Sequence, residues 1–105
     1  MIVIQGYFDI HAEDFESARA LARALAEETV KEDGCIHYAF ASDLRQSNRL
    51  QLSECWRDEA ALARHFQTDH IASFRSAMGG LRLECRVVKR YEVTSVADLA
   101  PVTPR

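Results

Sequence analysis

Asn48-Arg49-Leu50-Gln51-Leu52-Ser53-Glu54-Cys55-Trp56, followed at once by Arg57-Asp58-Glu59-Ala60-Ala61-Leu62-Ala63-Arg64-His65-Phe66, contains the switch on which the fold turns. The first nine residues alternate. Asn48, Leu50, Leu52, Glu54 and Trp56 share one face, and Arg49, Gln51, Ser53 and Cys55 the other, which is the two-residue period of a strand. The leucines mark the first face as the core face, so Glu54 also points inward. A carboxylate there must be paired, hydrogen-bonded or protonated. The period then changes: Asp58 is placed to cap a helix running to Phe66, with Ala61, Leu62, His65 and Phe66 on its inward side. Thr68 or Asp69 can cap a further segment carrying His70, Ile71, Phe74, Ala77 and Met78, stopped by Gly79-Gly80. A carboxylate, an indole and two imidazoles therefore gather at one strand-to-helix junction.

Working outward, residues 2–11 alternate as a first strand with Ile2, Ile4, Phe8 and Ile10 inward. Gly6 on that face leaves room for a close approach. Phe15, Ala18, Ala22, Leu25 and Thr29 recur at helical spacing between about Ala12 and Lys31, and Gly34 supplies a left-handed cap. Cys35 to about Asp43 forms a strand with Ile36, Tyr38 and Phe40 on one face. A last strand alternates Leu81, Leu83, Cys85, Val87, Tyr91 and Val93 with Arg82, Glu84, Arg86, Arg90 and Glu92.

This order gives an α+β, ferredoxin-like βαββαβ domain over residues 1–93: a four-stranded antiparallel sheet with helices on one face. Residues 94–105 follow as an extended C-terminal tail. The second face (Val3, Tyr7, Ala39, Ala41, Val88) is too apolar for free solvent, and a second copy of the chain, in a homodimer, is the expected cover.

Composition narrows the function. The chain has 105 residues, 48% of them hydrophobic and 28% charged, with a net charge of −3. Its basic residues are scattered, which disfavours nucleic acid and anionic membrane surfaces as partners. No apolar run reaches the ~20 residues of a membrane span, and the N-terminus lacks a signal-peptide pattern. A cytoplasmic protein is expected. Cys35, Cys55 and Cys85 show no CxxC spacing and read as reduced thiols. His65 and His70 stand five apart, ~140° around an ideal helix. No HExxH spacing, glycine-rich phosphate loop or nucleophile elbow occurs. No metal, flavin or nicotinamide is expected.

Gly34-Cys35-Ile36-His37-Tyr38, then Glu54-Cys55-Trp56, Asp58-Glu59-Ala60-Ala61-Leu62, His65, and His70 with Phe74, resemble the antibiotic biosynthesis monooxygenase (ABM) domain, including its quinol monooxygenase-like members. The resemblance spans roughly residues 1–93. It implies a dimeric α/β barrel and a pocket in each subunit between sheet and helices. It also implies oxidation of a small phenolic or quinol-type aromatic by O2 without a cofactor. Haem degradation is disfavoured, because no histidine occurs near Arg75–Met78.

On this reading His65 is the base and Glu54 its orienting partner. Trp56, Tyr38, Phe66 and Phe74 wall the pocket, and Asn48 and His70 add polar substrate contacts. Phenolate reduces O2 far more readily than phenol, so such a site must first remove a proton and then shield the anion from water. Two other readings use the same residues. One is a non-oxygenase isomerase or degrading enzyme; the other is a dimeric binding or stress-response module without turnover.

Overall fold

The structure, a computed structural model, describes residues 1–101; the last four residues of the expected tail lie outside the described residues. Strand β1 (Ile2–Ile10) leads through a 3-10 turn (Ala12–Asp14) into α1 (Phe15–Thr29). Strands β2 (Cys35–Ser42) and β3 (Arg49–Trp56) form a hairpin, α2 (Glu59–His65) and α3 (Asp69–Met78) follow, and β4 (Leu83–Glu92) completes the sheet. The strands lie in the order β2-β3-β1-β4, every pair antiparallel. This is the ferredoxin-like α+β fold that the alternating and helical periods imply.

The core lies between the sheet and its helices. Phe15, Ala18, Ala22, Leu25 and Thr29 form the buried stripe of α1. Ile2, Ile4, Leu50, Leu52 and Trp56 meet it from the sheet, with Leu62 and Ile71 from α2 and α3. The small side chains of Ala18 and Ala22, both buried, let α1 lie close on the strands. Asp58 caps α2 by accepting the Ala61 N–H at 2.8 Å, and Thr68 caps α3.

Two glycines shape what surrounds the site. A Cβ at Gly6 would overlap the Val87 carbonyl oxygen and come within 2.6 Å of the Val88 Cα, so β4 coils over β1 at a point where no side chain fits. Gly34 has φ +86°, and a Cβ there would run into the Ala61 side chain. The turn between α1 and β2 therefore rests directly on α2. Arg57 fixes it further, its N–H donating to the Gly34 carbonyl at 2.8 Å and its guanidinium gripping Asp33.

Alternation predicts the period of a strand but not its phase across an irregularity. The register slips between Cys35 and His37, so Cys35 faces Trp56 while Ile36 is exposed instead of joining Tyr38 and Phe40 inside. A second slip, at Asp9/Ile10, resets β4. Ile10 faces Leu83, but Phe8 faces Arg86 and Gly6 faces Val88. Val88 thus belongs to the helix-covered side, not to the open face, where Val87 pairs with Tyr7 and Tyr91 with Val3. Helix α1 also ends earlier than its expected bound near Lys31, at Thr29, leaving residues 30–34 as a turn. No helix of the described residues is long and apolar enough to cross a membrane.

Candidate active site

Between the sheet and α3 lies a cavity of about 540 Å³, within the range of small-molecule pockets. Its walls are mostly apolar: Ile4, Phe8, Tyr38, Phe40, Leu52, Phe66, Ile71, Phe74, Met78, Leu81, Leu83 and Val88. Glu54, His65, Arg75, Arg86 and the Tyr38 hydroxyl supply its ionisable groups. Tyr38, Phe66 and Phe74, expected as walls, all line it.

His65 closes α2 and is 1% exposed, its ring packed 4.7 Å from that of Trp56 and 5.5 Å from that of Tyr38, centroid to centroid. Its Nδ1 lies 2.7 Å from Oε2 of Glu32. The same oxygen lies 2.7 Å from Nε2 of His70. Where the Glu32 carboxylate is ionised it can only accept, and both ring nitrogens then donate to it. With its proton on Nδ1, His65 keeps a lone pair on Nε2, and its ring borders the cavity. Burial holds the His65 pKa below its ordinary value, outweighing the opposing pull of Glu32. The imidazole is accordingly neutral at neutral pH, the form a base requires.

The carboxylate bonded to His65 is therefore Glu32, not Glu54. Glu54 sits across from Tyr38 on β2 and Ile4 on β1, and its Oε1 accepts the indole N–H of Trp56 at 2.8 Å. Burial raises its pKa to about 7, against the smaller lowering effect of the indole hydrogen bond. Glu54 is thus divided between acid and carboxylate near neutrality. Burial also pushes the Tyr38 hydroxyl well above the ordinary phenol range, so it stays protonated.

Three other expected contacts fall elsewhere. Trp56 is fully buried behind Glu54 and His65 and forms no part of the cavity wall; it acts as a hydrogen-bond donor and core residue. Asn48 precedes β3, where its amide donates to the Ile10 carbonyl and to Glu84, away from the cavity. His70 meets the site through Glu32 and beside the His65 ring, and lines no part of the cavity.

Glu32 is the functional candidate that periodicity misses. Its one sequence signal is an acid just past the C-terminal end of a helix, where the dipole favours cations. The ~140° separation of His65 and His70 on an ideal helix does not apply, because residues 66–68 break the helix and both rings turn toward one oxygen. Glu32, His65 and His70 offer ligand atoms within 4.8 Å of one another, a spacing from which a metal ion could be held. Here those atoms are already engaged in hydrogen bonds with each other.

The sequence profile of the antibiotic biosynthesis monooxygenases matches residues 1–77. The chain belongs to that family. A Bacillus subtilis protein, YcnE, provisionally named a monooxygenase, is 31% identical over 74 residues, covering 70% of this chain and 78% of its own. An uncharacterised Synechocystis protein is 31% identical over 98 residues, 93% of this chain and 67% of its own. A Deinococcus radiodurans structure, also provisionally titled an antibiotic biosynthesis monooxygenase, superposes with a TM-score of 0.88 at 24% identity, covering 96% of this chain and 100% of its own. That last likeness concerns the ABM fold alone.

Proposed function

We propose that this ABM protein is a cofactor-independent monooxygenase that oxidises a small phenolic or quinol-type aromatic with O2. The observation that carries the reading is His65, buried, neutral, tied through Nδ1 to Glu32 and bordering an apolar cavity. In the reaction, Nε2 of His65 takes the phenolic proton. The phenolate passes one electron to O2, and the resulting radical pair collapses to a carbon–oxygen bond. Loss of water from the peroxide then leaves a carbonyl. One oxygen atom stays in the product and the other leaves as water. The substrate supplies all four electrons, and the proton held by His65 returns to the departing hydroxide.

Glu54, divided between its two protonation states, is suited to hydrogen-bond the substrate oxygen as an acid. The apolar walls exclude water from the anion. A homodimer formed through the open sheet face, where Val3, Tyr7 and Val87 remain only half-buried, fits the same reading and is checked by sedimentation.

The test is oxygen uptake with a panel of phenols and hydroquinones. Wild type consumes O2 and gives the quinone, while His65→Ala loses the activity. Full turnover under argon would replace the oxygenase with the isomerase reading, which the Glu54–His65 pair could equally serve.

A further inference from the structure

Three arginines recur four residues apart around the last strand, and the outer two have carboxylate partners. Arg82, just before β4, holds Asp14 through its Nε at 2.9 Å. Arg90 grips Glu59. Arg86, between them, is in no ion pair among the described residues, yet it lines the cavity with its guanidinium 5.8 Å from the centre of the Phe8 ring. The other arginine on the wall, Arg75, lies over Phe66, at the end where the Phe66 ring approaches His65. It too has no ion-pair partner among the described residues.

Arg86 stands at the opposite end. It faces Phe8, while Glu54 faces Ile4, four residues back along β1. At about 3.3 Å per residue that separation is roughly 13 Å along the sheet. The space between is apolar: Leu52, Phe40, Val88 and Phe74 line it.

We propose that the cavity binds an anionic aromatic, a flat apolar body whose hydroxyl meets His65 and whose carboxylate, at the far end, meets Arg86. A guanidinium without a carboxylate partner at an apolar mouth offers a planar, two-pronged donor that matches a carboxylate. Its aliphatic stem and the Phe8 ring hold it against the wall. This deepens the function proposed above and rests on it for which end of the ligand faces His65.

Calorimetry under argon with two probes tests the assignment: a hydroxynaphthoate with its groups at opposite ends of the fused ring, and naphthol itself. Wild type binds the hydroxynaphthoate about tenfold more tightly, the scale of one exposed charge-assisted hydrogen bond. Arg86→Gln removes that preference while leaving naphthol binding unchanged, and Arg86→Lys restores part of it. Added salt weakens the preference. Equal binding of the two probes, no binding of the hydroxynaphthoate, or a preference that survives Arg86→Gln would overturn the proposal. Oxygen uptake with the same compounds is read separately: an Arg86-dependent preference without turnover retains the anion site and removes the oxygenase.

Discussion

Two carboxylates flank the site, and their surroundings give them different work. Glu54 projects from a strand into the apolar layer between sheet and helices, where a single indole donor meets it. Burial prevails, and its pKa rises to about 7. Glu32 sits on a turn at the end of α1, where two imidazoles converge on one of its oxygens. The first carboxylate is divided between its two protonation states near neutrality; the second holds two histidine rings. Depth and donors differ together: Glu54 is buried with one donor, Glu32 only half-buried with two.

Removing the carboxylate on the turn is expected to have the largest effect. Glu32→Ala leaves the His65 Nδ1 proton without its acceptor, and kcat/KM is expected to fall by about a thousandfold, as for loss of a general base. Its positioning role shows in the split: kcat falls while KM hardly changes, and Glu32→Asp recovers part of the rate. Glu54→Gln acts mainly elsewhere. The wild-type kcat/KM should rise with pH through the lowered pKa of His65, below 6.5, and fall again around pH 7 as Glu54 ionises. In Glu54→Gln the alkaline fall disappears.

The stability of Glu54→Gln sharpens the contrast. Between its ordinary value of 4.5 and about 7, folded Glu54 binds more protons than the unfolded residue does. Stability is therefore lost as pH rises through that window. The amide keeps an acceptor for Trp56 without the cost of a buried charge, so the variant should gain up to about 3 kcal/mol at pH 8. At pH 4 the gain should vanish; urea unfolding at the two pH values measures it. Gly34→Ala, which forces a side chain into a left-handed position against Ala61, should cost about 2 kcal/mol and loosen the turn that carries Glu32. Asp58→Ala, which removes the α2 cap on the other side, should cost about 1 kcal/mol.

These residues also mark what a sequence can and cannot disclose. The inward direction of Glu54, the cap at Asp58 and the stripe of α1 follow from period and residue type alone, because each is a local rule. Trp56 shows where such rules stop: alternation sets its face, but whether it borders a cavity or lies beneath one depends on how α2 packs. Val88 and Ile36 changed sides through register slips, which leave no mark in an alternating pattern. Asn48 falls on the expected parity but precedes the strand, and its amide is taken up by Ile10 and Glu84. Glu32 lay outside any periodic element. Its convergence with His65 and His70 is made by Gly34 resting on Ala61, a contact between residues far apart in the chain.

Glu32 is expected to fix His65 as a neutral imidazole protonated on Nδ1, with Nε2 free to accept a proton. Nitrogen-15 NMR of the histidine rings at pH 7 reads this without any substrate. The expected spectrum shows a His65 ring protonated on Nδ1 alone, a state that becomes mixed in Glu32→Gln. A His65 protonated on Nε2, or carrying both protons at that pH, would contradict it.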